Sequence, residues 1–177
     1  MRTITRTLTT TEAAVLALLA IEGERSGYDL LKLCEQAIGH VWSPAKSQLY
    51  AVLPRLVEAG LARRRSVSRA RRPEKHVYRI TRAGRAALDG WLENVEPGAT
   101  ETFFLKLFVG GLTTHEVLRR HVEQFRDDMR GRLAGLEEIE RTNTRAGNDW
   151  YHAFLLDLGL VRTRQAIRWA DGVLQQL

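Results

Sequence analysis

Several things are scarce in this sequence, and each scarcity excludes something. Cys34 is the only cysteine in 177 residues, so no intramolecular disulfide can form. Its apolar neighbours Leu31, Leu33 and Ile38 read it as a small core residue rather than a redox sensor. Long hydrophobic runs are missing. The longest, Ala13–Ile21, falls well short of the about 20 residues a bilayer crossing needs. Met1–Thr11 carries charges and hydroxyls but no apolar segment of signal-peptide type. The expectation is a soluble, cytoplasmic protein with no membrane partner.

Catalytic signatures are lacking too. There is no glycine-rich phosphate loop, no G-x-S-x-G turn and no Cys–His pairing. The five histidines include "HEVLRRH", which separates His115 and His121 by six residues. The four-residue step that sets two zinc ligands on one helical face is absent. No enzyme, metal or cofactor is expected. Internal repeats and low-complexity tracts are absent as well.

What is present is charge, unevenly distributed. The formal net charge is +6, and apolar residues make up 44% of the chain, enough for a core. Residues 1–94 hold 16 Lys and Arg against 9 Asp and Glu, whereas residues 95–177 hold 11 against 12. A basic half joined to a near-neutral half points to a polyanion partner for one and a different task for the other. The basic residues concentrate in Arg63–Lys75, with seven cations and one acid, Glu74, in thirteen positions.

The pattern along the chain gives these charges a setting. Thr9-x-x-Glu12 is a capping box before an Ala/Leu-rich helix that Gly23 ends. Ser26, with Asp29 three residues on, opens a second helix with Leu30, Leu31, Cys34 and Ile38 inward and Gly39 as its stop. Ser43 and Pro44 suit the start of a third. In that helix Leu49, Val52, Leu53, Leu56 and Val57 form an amphipathic stripe. Ser47, Ala51, Pro54 and Glu58 point away from it, flanked by Gln48, Arg55 and Tyr50. Pro54 removes one backbone hydrogen bond, at about 3 kcal/mol unless the helix kinks. Two short strands around the basic run, the second with His76, Tyr78 and Ile80 on one face, read as a hairpin. Thr81 caps a further helix with Ala87, Leu88, Trp91, Leu92 and Val95 inward.

"EPGAT", at 96–100, is a linker signal. Beyond it the pattern predicts a short apolar helix over "ETFFLKLFVG", which Gly110-Gly111 stops, and two long ones. The first opens at the Thr113-x-x-Glu116 box with Leu118, Val122, Phe125, Met129 and Leu136 inward and "LEEIE" exposed. The second has Tyr151, Phe154, Leu155, Leu158 and Val161 inward. Each is about 40 Å long. Two such helices cannot bury their apolar stripes alone and need the short helix or another subunit.

Three helices followed by a basic hairpin make a winged helix-turn-helix. In this architecture the third helix enters the major groove by its N-terminal residues. The fold class expected is mainly α with a small β-hairpin: an N-terminal winged helix-turn-helix, residues 1–95, and a C-terminal helical dimerisation arm, residues 101–177. Lys46, Ser47, Gln48 and Tyr50 lead that helix, with Arg55 further along. Gln pairs with adenine, Ser with several base edges, and Lys with guanine or phosphate. Arg63–Arg65 belong to the first wing strand, and Arg69, Arg71, Arg72 and Lys75 at the tip face phosphate, giving affinity without sequence choice.

The segments "TEAAVLALLA", "SGYDLLK", "VWSPAKSQLYAVLPRLVEAGLARRR" and "RPEKHVYRITRAGRAALDGWL" resemble the PadR-like transcriptional regulators over about Thr9 to Leu92. The Leu53-Pro54-Arg55-Leu56 segment resembles the longer branch with a virulence-activator-type C-terminal helical domain. Ser47 stands where many members have Gly. The resemblance implies a homodimer clasped through C-terminal helices, regulating transcription at a palindromic site of double-stranded DNA. It implies Tyr28 near a phosphate, and it admits a small aromatic effector held between aromatic residues. Trp42 and Trp91 read as core residues, Trp150 and Trp169 as interface residues. An alternative from another class is a winged-helix adaptor that binds a protein partner; the polar, basic face of Lys46–Arg55 counts against it.

Overall fold

The computed structural model describes residues 7–38, 45–69 and 72–177. Ten elements follow in order: α1 (Thr10–Glu22), β1 (Arg25–Ser26), α2 (Gly27–Leu33, continued by a π-turn at Cys34–Ile38), α3 (Lys46–Glu58), β2 (Ala62–Arg69), β3 (Arg72–Ile80), α4 (Arg82–Glu93), α5 (Thr100–Phe108), α6 (His115–Thr142) and α7 (Asn148–Leu174). The chain is mainly helical with one small antiparallel sheet. It divides into two compact units. One runs up to Asn94 and adds Phe104–Thr114; the other joins Val95–Phe103 to His115–Leu177.

Local signals open the helices of the first unit. Thr9 accepts from the Glu12 backbone N–H while the Glu12 carboxylate accepts from Thr9. Ser26 and Asp29 repeat this box at α2, and Thr81 Oγ1 accepts from Gly84 N at α4. Each satisfies backbone donors that a helix start leaves open. α3 differs from expectation. It begins at Lys46 after Ala45, which supplies no side-chain cap. Ser43, Pro44, Gly39 and Trp42 lie outside the described residues.

α1 is buried on almost every side, from Ala13 through Leu19, and forms the middle of the core. Leu30, Leu31 and Cys34 pack on it, as do Leu49, Val52, Leu53 and Leu56 of α3 and Leu88 and Leu92 of α4. Burial pushes the Cys34 thiol up to about 11, aided by Glu35, which leaves it protonated and inert. Pro54 is accommodated within α3 on its exposed face.

The sheet has three strands, in the order β1-β3-β2, where the sequence pattern had suggested two. Arg25 and Ser26 pair with Tyr78 and Val77. So short a strand has no periodicity to detect; it forms because the chain between α1 and α2 runs beside β3. The β2–β3 register pairs Ala62 with Ile80 and Val67 with Lys75, then shifts at a bulge before Arg69 meets Arg72. Tyr78 is buried against the core, anchoring the wing. Gly84 is required by packing: a Cβ there would stand 2.0 Å from the Leu61 carbonyl oxygen. Leu105 of α5 and Val109, just after it, join this core. The buried Lys106 of α5 donates to the Asn94 carbonyl and sits 4.7 Å from the Trp91 ring centroid.

In the second unit α6 and α7 form an antiparallel hairpin. Its register is marked by Arg126–Asp171, Glu137–Arg164 and the approach of Leu136 to Gly159. Phe103 stacks on Phe125 with centroids 4.4 Å apart, and Trp169 meets both edge-on. The inner face of α6 is Val117, Leu118, His121, Val122 and Phe125, with Met129 and Leu136 half-buried. α6 starts after Thr114, one residue later than a Thr113 cap would set it. α4 ends at Glu93 and leaves Val95 outside the helix.

The face of α7 is a correction. Its buried residues are Ala153, Leu156, Leu160, Thr163 and Ala170. Tyr151, Phe154, Leu155, Leu158 and Val161, expected inward, are 47–72% exposed. Both sides of α7 carry apolar residues, so periodicity could not tell which side meets α6. Ala153, Thr163 and Ala170 flank Leu156 and Leu160 on the buried side, and Tyr151, Phe154, Leu155, Leu158 and Val161 are left outside.

Candidate nucleic-acid interface

The first turns of α3 present Lys46, Ser47, Gln48 and Tyr50 on the surface, while Leu49 between them is fully buried. The apolar stripe thus turns the polar residues outward. The first turn of α3 contains no acid, which leaves the positive end of the helix dipole available to an anion. Arg55 lies on the same outward side, its Nε donating to the Ala51 carbonyl at 3.2 Å.

Tyr50 is 41% exposed and Tyr28 65% exposed. With Tyr78, Lys75, His76, Glu74, Ser26 and Gly27 they line an open hollow of about 480 Å³. The structure therefore brings Tyr28 of α2, Tyr50 of α3 and Lys75 of the wing to one surface. Arg69 and Arg72 are cross-strand partners at the end of the hairpin. Their side chains, and Arg71 entirely, lie outside what the structure describes.

Two acids that the sequence reading had not connected to this surface belong to it. Lys75 Nζ lies 2.8 Å from Asp29 Oδ2. That contact, with the Ser26 hydroxyl, lowers the Asp29 carboxyl to about 2. Arg65 grips Glu24 at two points, Nε to Oε2 at 2.8 Å and Nη2 to Oε1 at 2.5 Å, and this fork lowers the Glu24 carboxyl. Arg63, Arg64 and Arg79, all exposed, have no ion pair among the described residues. The Asp29 signal in the sequence was a helix cap only. Nothing in spacing reveals partners 41 and 46 residues away.

Chemically, a polar, acid-free helix end can meet base edges, and a basic hairpin can meet phosphate. Among the described residues no cluster of His, Cys, Asp and Glu is placed to hold a metal ion, and no helix is long and apolar enough to cross a membrane.

Residues 15–90 match the model of the transcriptional regulator PadR-like family, and residues 101–177 match that of the virulence activator alpha C-terminal domain. The chain is 26% identical to the negative transcriptional regulator PadR of Bacillus subtilis (strain 168), over 93% of this chain and 95% of the relative. Solved structures of Bacillus subtilis PadR are similar too. The complex with operator DNA has a TM-score of 0.49 at 23% identity, covering 95% of this chain and 99% of that one. The complex with p-coumaric acid has a TM-score of 0.45 at 23% identity, covering 95% and 98%.

Proposed function

The chain belongs to the PadR-like family of transcriptional regulators, and from that premise we propose that it works as a homodimeric repressor on an inverted-repeat operator. The family's members are DNA-binding regulators of transcription and not enzymes. The observation that carries the reading is the exposed, acid-free start of α3, Lys46 to Tyr50, beside the wing. Repression is supported by the relative's own role as a negative regulator. It would be steric, by occlusion of polymerase.

The division of labour follows the charge. Residues 1–95 bind DNA, with Gln48, Ser47 and Lys46 on base edges. Tyr28, Tyr50, Arg55 and the tip residues Arg69, Arg71 and Arg72 lie on the backbone, and Lys75 joins them once it leaves Asp29. Residues 101–177 make the dimer. The exposed row Tyr151, Phe154, Leu155, Leu158 and Val161 is the kind of apolar patch that a partner covers. A two-fold pairing of such rows repeats the head in inverted orientation, which an inverted-repeat operator mirrors. A small aromatic effector completes the reading. Trp150 and Phe154, with centroids 4.7 Å apart, offer exposed rings to a flat ligand, and p-coumaric acid is the first compound to test. The cytoplasm is the compartment where such a protein works.

The test is fluorescence anisotropy with the protein's own upstream DNA and with a random duplex of equal length, at two salt concentrations. Preference for the upstream duplex, with affinity falling as salt rises, is the expected result. Equal affinity for both duplexes sinks the proposal.

A further inference from the structure

The described cations of the wing strands fall into two groups. Arg63, Arg64 and Arg79 are exposed and unopposed by a direct ion pair among the described residues, although Arg79 also acts on Glu24 through space. Arg65 and Lys75 are each met by a carboxylate. Both carboxylates come from one short stretch, the turn and first helical residues after α1. Glu24 has no helix-capping task, and the Arg65 side chain stays 63% exposed despite its fork. An ion pair as open to water as Arg65–Glu24 adds little to stability.

Its effect falls instead on binding. Sequence-independent affinity grows with the number of phosphates that Lys and Arg neutralise, whereas sequence choice comes from base edges. A guanidinium already forked to a carboxylate must break that pair before it meets a phosphate, and the carboxylate left behind repels the same phosphate. Such an acid subtracts from binding to every duplex and leaves base reading on α3 untouched.

We propose that Glu24 and Asp29 limit the affinity of the head for DNA: they hold Arg65 and Lys75 back from phosphates and so weaken binding to every duplex, the preferred one included. This rests on the DNA-binding reading above. The variant Glu24→Gln tests it, because it removes the charge that engages Arg65 directly and Arg79 through space. Against a mixed-sequence duplex, E24Q should bind about tenfold more tightly than wild type near 0.1 M salt. The slope of log K against log salt should steepen by about 0.9. The ratio of affinities for the preferred over the mixed duplex should stay near the wild-type value, because base reading on α3 is unchanged. Asp29→Asn should add a second step of similar size. Melting temperature, followed by circular dichroism, should stay near wild type for E24Q. If E24Q binds the mixed duplex no more tightly than wild type, with the slope unchanged, the proposal is overturned; weaker binding would assign Glu24 to the scaffold. If wild type itself shows no salt-dependent duplex binding, the underlying reading falls first and this one with it.

Discussion

Gly27 and Tyr50 are in direct contact: a Cβ added to Gly27 would stand 2.9 Å from Tyr50 Cε1 and 3.0 Å from Leu53 Cδ1. The Tyr50 ring therefore rests on the first turn of α2, with its edge still reaching solvent. Gly27→Ala should push the ring outward at a cost of about 1–2 kcal/mol. Thermal melting should show a small loss, and DNA affinity should fall several-fold. Unchanged affinity would remove Tyr50 from the interface.

Gly84 has no such freedom, because the atom in the way is backbone. With the Leu61 carbonyl oxygen 2.0 Å from the added Cβ, Gly84→Ala must separate α4 from the turn between α3 and β2. A loss of about 3 kcal/mol is expected, seen as a drop of about 6–12 °C in Tm. Urea unfolding should give the same difference.

The exposed row on α7 makes a test of assembly. Leu155 is 72% exposed and Leu158 47% exposed, so replacing both by Glu leaves the α6–α7 contact intact. If a partner covers them, each substitution removes roughly 2 kcal/mol of burial. Sedimentation equilibrium should then find a monomer for L155E/L158E and a dimer for wild type, with retained helical content.

Gln48→Ala should weaken the preferred duplex by about 1–3 kcal/mol, the worth of a good bidentate base contact, and leave mixed DNA unaffected. Arg71→Ala should weaken both equally and flatten the salt slope by about 0.9. Identical behaviour in anisotropy titrations would refute the assignment of roles.

The Asp29–Lys75 pair predicts an acid dependence. The folded carboxyl is lowered from 3.8 to about 2, first by Lys75 and then by Ser26. A lowered pKa means stability that is fully present above pH 4 and is lost as pH falls towards 2. Melts of wild type and Asp29→Asn from pH 5 to pH 2 should start apart and converge within that window. A constant gap would show that the carboxylate's charge contributes nothing.

Much of the head was legible because its signals are local. A capping residue and its partner are three positions apart, and a stripe such as Leu49, Val52, Leu53 and Leu56 repeats within one helix. Those intervals place the α3 residues on opposite sides before any tertiary contact exists. β1 was hidden because two residues carry no period. The start of α3 came later than Ser43 and Pro44 suggested, because composition locates a helix start less sharply than it locates a face.

The sequence by itself determined the order of helices and wing strands, the capping boxes at Thr9 and Ser26, and the basic character of the wing. All of these follow from interactions between residues a few positions apart. Tertiary structure decided which side of α7 meets α6, and which wing cations are already engaged. Packing on α6 buries Ala153, Leu156 and Leu160 and leaves Leu155 and Leu158 outside, although both sides are apolar. Glu24 and Asp29 meet Arg65 and Lys75 only after β1, β3 and β2 align in one sheet. A pattern of charge can be read along the chain, but its neutralisation depends on distances that exist only once the chain has folded.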